Sequence, residues 1–252
     1  MSSSINLIGN GAIGKSLTNV ACDFPMTLFN CAGIPHPYFV NKKNIERENL
    51  HVKRLIKLAE GYERVIHIST PSVLGDLQHP YDENAKYGGN VTKYGLQKRH
   101  VEETLQNSIK DKLIIVRLFS FVSIHLQKQI IYDSIKKLSI GDGTFYVNPD
   151  QSRCFVSEID FKNMIRFLLN NKMCGTINFT NSEPTNLIKA IKYIALKMNY
   201  TGSMQFLSNN DDKNYACLIS TSSRLFIKGY KLERVGLSSL DEVINYHGYP
   251  NI

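Results

Sequence analysis

Ile5-Asn-Leu-Ile8 runs directly into Gly9-Asn10-Gly11-Ala12-Ile13-Gly14 and then into a helical pattern that lasts to about Ala21. An apolar strand, a Gly-x-Gly-x-x-Gly turn and a helix in that order form the setting of a dinucleotide phosphate loop. The three glycines do different things. Gly9 permits the tight turn, Gly11 lets the backbone approach a pyrophosphate, and Gly14 lets helix and strand pack closely. The helix start then offers free N–H groups and a partial positive charge to phosphate. The same fingerprint expects an acidic residue about 20 positions beyond the loop, gripping the adenosine ribose. From Phe24 to Lys43 the chain carries none.

Working outward, apolar runs alternate with helical periodicity, which predicts a parallel α/β sheet with helices on both faces. Strands are expected at Met26–Cys31, Arg64–Ser69, Lys112–Phe119, near 153–157 and at Gly175–Phe179. Helices are expected at Asn44–Ala59, Thr92–Asn107, near 126–138, at Asp160–Asn170, at Thr185–Met198 and at Leu240–Tyr246. Residues 71–91, with Pro71, Gly75, Pro80, Gly88 and Gly89, read as a long irregular loop, and such loops inside compact domains are usually functional.

The 252 residues suit one large domain with a satellite lobe, and 42% hydrophobic content supplies a full core. The expected division is a dinucleotide-binding Rossmann domain over 1–120 plus about 161–180, and a small substrate lobe over about 121–160 and 181–252. A net charge of +8 attracts phosphates. Its scatter, with no basic run longer than a few residues, argues against a nucleic-acid arm. Five scattered cysteines without a C-x-x-C pair suggest reduced thiols and neither a zinc site nor a disulfide framework; no metal is expected. The first residues lack the basic and apolar regions of a secretion signal, and no apolar stretch approaches a membrane span. A cytoplasmic protein with no membrane or nucleic-acid partner is the expectation.

Tyr94 and Lys98 lie four apart on an expected helix and therefore share a face. An ammonium beside a phenol is expected to lower the phenol's proton affinity, so that Tyr94 exchanges a proton with a substrate hydroxyl while hydride moves to or from a nicotinamide. The spacing alone carries little, because Tyr38/Lys42, Tyr132/Lys136 and Tyr193/Lys197 share it. Position distinguishes the second pair: Ser69-Thr70 ends a parallel strand at the edge where α/β sheets place ligands, so a hydroxyl there can share the reacting proton.

With these pieces assembled, the sequence resembles the extended short-chain dehydrogenase/reductase family, the NAD(P)-dependent epimerases and dehydratases of nucleotide sugars. The resemblance is carried by His67-Ile-Ser-Thr70-Pro-Ser-Val73-Leu-Gly75-Asp76, Tyr94-Gly-Leu-Gln-Lys98 with Val101-Glu102-Glu103, and Val116-Arg-Leu-Phe119. Gly141-Asp-Gly143, Arg153-Cys-Phe-Val156 with Asp160, Gly175-Thr-Ile-Asn-Phe179 and Glu183-Pro184 extend it.

It implies a Rossmann-like fold and an NAD or NADP cofactor held by Gly9, Asn10, Gly11, Ala12, Ile13, Gly14, Ala32, Gly33, Ser69 and Lys98. It further implies Thr70, Tyr94 and Lys98 as the catalytic group, Ser72 and Arg153 on a nucleotide-sugar substrate, and a homodimer through two long helices including 92–107. Phe29-Asn-Cys-Ala-Gly33 is similar to the family's fourth strand, so its second and third strands look deleted. Pro71-Ser72 stands where dehydratases carry an Asp-Glu pair, which disfavours dehydration and leaves epimerase or keto-reductase. A reductase of a non-sugar substrate and a non-catalytic Rossmann relic remain open.

Overall fold

Leu113-Ile-Ile-Val-Arg-Leu118 is apolar at nearly every position, as a strand covered on both faces must be. In the computed structural model it is the strand β4, buried throughout. Residues 6–75, 91–126, 129–181, 183–208, 217–218 and 228–248 are described. The expected first residue of the opening strand, Ile5, lies outside them. So do loop positions 76–90 with Asp76, Pro80, Gly88 and Gly89, and most of 209–227.

The main sheet is wholly parallel, in the order β1 (Leu7–Ile8), β2 (Thr27–Asn30), β3 (Arg64–Ser69), β4, β7 (Gly175–Phe179). The Rossmann-like expectation is met. Among the described residues no strand pairs with the outer side of β1, so the strand that leads into the glycine turn is an edge strand. That order fits the loss of two strands.

Period-two alternation assigns the two faces. Phe29, Ile66, Ile114, Val116 and Ile177 pack against α1 (Ala12–Asp23) and α5 (Glu158–Asn170) through Leu17, Val20, Phe161, Ile165 and Leu168. Leu28, Val65, Leu113 and Ile115 pack against α2 (Lys42–Leu58) and α3 (Lys93–Ile109) through Val52, Leu55, Val101 and Leu105. Continuing the alternation toward the strand ends puts Asn30, His67, Ser69 and Arg117 on this second face. All four are buried. Beneath the C-terminal edge of the sheet the core therefore changes from aliphatic to polar, and buried polar groups demand partners.

A second apolar cluster joins α4 (Ile130–Ser139), α6 (Leu187–Lys197) and α7 (Asp241–His247). Beside it lie the parallel pair β5 (Thr144–Tyr146) and β9 (Gln205–Leu207), and a small sheet of β10 (Cys217–Leu218), β6 (Ser152–Arg153) and β8 (Thr185–Asn186). The helix expected from Thr185 starts two residues later. Thr185 pairs with Arg153 in the small sheet, and the Asn186 side chain caps α6 by accepting the N–H groups of Ile188 and Lys189. The strand expected near 153–157 is broken: Ser152–Arg153 pair with β8, and Val156 bridges separately to Phe121.

Candidate active site

Strand β3 ends at Ser69, and the chain turns at once through a 3₁₀ segment, Pro71–Leu74. Thr70 caps that turn, its Oγ1 accepting the Ser72 N–H at 3.3 Å and donating to Ser72 Oγ at 3.2 Å. Helix α3 begins against the same turn. Thr92 Oγ1 accepts the Gly95 N–H at 3.1 Å and fixes the helix start, so Tyr94 lies in its first turn. A Cβ at Gly95 would overlap the Ser72 carbonyl oxygen, so glycine is required for this approach. One turn on, the Arg99 guanidinium donates twice to the Val73 carbonyl, at 2.7 and 3.1 Å, and clamps helix to turn. As a result Thr70 lies close enough to the Tyr94 phenol to act on its proton affinity. Lys98 Nζ lies 5.6 Å from the Tyr94 ring centroid. The three residues expected to act together are together.

Lys98 carries a partner that the sequence does not announce. Its Nζ donates to Glu48 Oε1 at 2.6 Å, with both side chains more than nine-tenths buried. The same oxygen accepts the Ile34 N–H at 2.8 Å, while Glu48 Oε2 is buried without a hydrogen-bond partner. The pair closes against Gly33, where a Cβ would lie 2.6 Å from Lys98 Nζ and 2.8 Å from Glu48 Oε1. A glutamate on an amphipathic helix reads as solvated surface. The available signal is its spacing, since Glu48, Val52 and Leu55 fall at i, i+4 and i+7 and are the buried residues of α2.

One expectation is reversed. Tyr94 is not shifted toward phenolate; its proton affinity is pushed up to about 12, first by burial and second by the Glu48 charge, with the nearby Thr70 side chain pulling the other way. Desolvation disfavours the charged phenolate, and the ammonium expected to offset it faces Glu48.

Under this group lies the polar layer. His51 Nε2 donates to Asn30 Oδ1 at 2.9 Å, and Asn30 Nδ2 donates to His67 Nδ1 at 2.9 Å. Burial holds His67 neutral, down to about 3, with Lys98 and His51 adding to the effect. Burial also lowers His51. Ser69 Oγ donates to Glu102 Oε1 at 2.5 Å, so its hydroxyl points into the layer. Ser72 is half-buried beside Thr70, and Arg153 stands apart on β6 in the small sheet.

The glycine turn lies next to Ala32. Gly9 has φ +109°, and a Cβ there would sit 2.7 Å from the Cys31 carbonyl carbon, so only glycine fits. A Cβ on Gly14 would overlap the Gly9 carbonyl oxygen, while Gly11 faces open space. No side chain caps the start of α1, which leaves the N–H groups above Gly11, Ala12 and Ile13 for a phosphate. Asn10 is exposed beside them. These features suit the pyrophosphate of a dinucleotide. On the far side of Gly33 a cavity of about 540 Å³ opens between Ala32–Pro35 and α2, with Phe39, Arg47, His51 and Arg54 in its wall.

The model of the NAD dependent epimerase/dehydratase family matches residues 10–178. The chain belongs to that family. Among solved structures, this epimerase/dehydratase chain is similar to the UDP-glucuronic acid 4-epimerase of Bacillus cereus, solved with UDP-glucuronic acid and NAD. The identity is 19% and the TM-score 0.73, over 91% of this chain and 77% of that one. RMD from Pseudomonas aeruginosa, complexed with NADPH, gives 15% and 0.77 over 96% and 88%. Bordetella bronchiseptica WbmG, in complex with NAD and UDP, gives 16% and 0.75 over 95% and 78%. At these identities the likeness is one of fold. No curated protein matches the chain. No described helix of this family member is long and apolar enough to cross a membrane.

Proposed function

We propose that this chain is an NAD(P)-dependent epimerase or keto-reductase of a nucleoside-diphosphate sugar, with Tyr94 as the acid/base. The observation that carries the reading is the convergence of Thr70, Tyr94 and Lys98 at the C-terminal edge of a parallel sheet, two strands from a glycine turn. Gly9, Asn10, Gly11, Ala12, Ile13 and Gly14 hold the pyrophosphate, and Ala32, Gly33 and the Ser69 backbone flank the nicotinamide half. The cavity walled by Arg47, His51 and Arg54 takes the adenosine half, since no acidic residue follows the loop. When bound, the nicotinamide supplies or accepts a hydride at the sugar carbon.

The protein's own part is proton transfer and positioning. Tyr94 Oη exchanges the proton of the reacting oxygen, Thr70 holds that oxygen in line, and Ser72 continues the hydroxyl chain outward. Lys98 braces the cofactor ribose from beneath. Arg153 pairs with substrate phosphate, a bidentate contact suited to guanidinium, and the cluster around α4, α6 and α7 forms the substrate lobe.

A specific feature favours a second reading, a non-catalytic nucleotide-binding relic: the loop-bearing strand is at the sheet edge. Thermal unfolding with NADH and NADPH separates the two, because a ligand bound only by the native state raises apparent stability by about 2.7 kcal/mol at 100 times Kd. A rise with either dinucleotide, followed by its consumption with a keto sugar nucleotide, supports the enzyme. No rise at millimolar concentration supports the relic.

A further inference from the structure

Glu48 is the buried group at this site that the mechanism above does not use. It is on α2, yet its carboxylate reaches across to α3 and takes the Lys98 ammonium at 2.6 Å in a space with almost no solvent. A charge so deeply buried is costly and is kept only when paired. The pairing also has an electrostatic consequence at Tyr94. A lone ammonium there would favour phenolate, whereas a contact ion pair presents a dipole with little net charge.

The charged and titratable groups around the phenol agree with this. Glu48 approaches the phenol from α2 and Lys98 from its own helix, with Thr70 beside it, while His51 on α2 and His67 on β3 act on the Lys98 ammonium. Neither histidine adds a cation, because both are lowered by burial.

Resting on the proposed function, we infer that Glu48 is a positioning residue that sequesters the Lys98 ammonium. Tyr94 is thereby kept as a neutral proton donor, which suits a keto sugar nucleotide as substrate and its reduction as the reaction. In that step the carbonyl carbon gains a hydride from a reduced nicotinamide dinucleotide and the carbonyl oxygen gains the Tyr94 proton. The products are an alcohol, the oxidised dinucleotide and a tyrosinate. The tyrosinate regains its proton from water through the Thr70–Ser72 hydroxyls. Oxidation of a sugar alcohol, the opening step of an epimerisation, needs the phenolate instead. For a keto substrate the ketone is supplied by a reaction class that oxidises or dehydrates a sugar nucleotide.

The test reads Tyr94 without turnover. The chain is labelled with ¹³Cζ-tyrosine, the Tyr94 resonance is identified by its loss in Tyr94→Phe, and its pH midpoint is followed by NMR. Glu48→Gln is expected to lower that midpoint by about one unit or more, a tenfold change in proton affinity, and Glu48→Asp to restore it. A midpoint within about 0.3 units of wild type in folded Glu48→Gln overturns the inference. Should Glu48→Gln fail to fold, the double variant Glu48→Gln/Lys98→Met removes both charges. A midpoint close to wild type is then expected, and a rise of a unit or more would show that Lys98 acts on Tyr94 despite Glu48. A cofactor-free result of this kind stands whether or not the sugar-nucleotide reading survives, so the two failures are distinguishable. In turnover, alcohol oxidation is expected to keep rising about tenfold per pH unit to pH 10 in the wild type and to level off earlier in Glu48→Gln.

Discussion

Arg117 on β4 and Glu102 on α3 form a buried, two-point ion pair, with Nη2–Oε2 at 2.6 Å and Nε–Oε1 at 3.1 Å. Ser69 completes it by donating to the same carboxylate. The pair ties helix to strand directly below the turn that carries Thr70, and register places Arg117 opposite Ser69. Truncating Glu102 removes the carboxylate that pairs with this buried guanidinium, at a cost of about 3–5 kcal/mol. Glu102→Ala is therefore expected to lose that much in urea unfolding. A loss below about 1 kcal/mol would mean that water replaces the carboxylate and that the pair is not structural.

The three glycines of the turn are expected to separate fold from ligand binding. Gly9→Ala puts a side chain at φ +109° against the Cys31 carbonyl and should cost more than about 1 kcal/mol. Gly11→Ala meets nothing in the protein. It should leave Tm within about 2 °C of wild type and weaken dinucleotide binding, as measured by calorimetry, about tenfold or more. Equal affinity in Gly11→Ala would show that no phosphate approaches this backbone.

His67 gives a pH signature. Its proton affinity is about 3 in the folded chain, from burial, against an ordinary 6.5. The unfolded chain therefore binds the extra proton between these values, and stability falls as pH drops below 6.5, by about 1.4 kcal/mol per unit from this group. Above 6.5 the contribution is fully present. Comparing urea stability at pH 7 and 5, the wild type should lose about 2 kcal/mol more than His67→Gln. Parallel losses would mean that His67 is charged in the native state.

Tyr94→Phe keeps the ring and deletes the proton. Turnover is expected to fall by about 10²–10⁴-fold, with dinucleotide affinity within about twofold of wild type. Undiminished turnover would remove Tyr94 from the chemistry.

Arg153→Met is expected to raise KM for a sugar nucleotide by about 10–100-fold, the range for a hydrogen bond to a charged group, with kcat little changed. An unchanged KM would place substrate phosphate elsewhere.

Much of this architecture is legible in the chain. Two β-strand signals, Arg64–Ser69 and Gly175–Phe179, match the observed strands residue for residue, because short, strongly apolar runs bounded by glycine or turn residues admit few alternatives. β5, β9 and β8 leave no such signal, being two or three residues each and too short to show alternation. At the site, Thr70, Tyr94 and Lys98 are readable because strand end and helix start are both local signals. Glu48 is not. Its role comes from a contact spanning 50 positions, and spacing along α2 says that it faces inward without saying what it meets. The upward shift of Tyr94 comes first from its burial, and Glu48, the one partner local pattern could not supply, adds to it.

The position of β1 at the edge of the described sheet has a thermodynamic corollary. Among the described residues that rung of the sheet is tethered from one side only, by the Phe29 N–H to the Asn6 carbonyl at 2.7 Å and the Cys31 N–H to the Ile8 carbonyl at 2.8 Å. A ligand seated on the turn that follows also splints the sheet's outermost rung, so binding and local order become one linked equilibrium. Amide exchange at residues 6–9 is then expected to slow when a ligand occupies the turn.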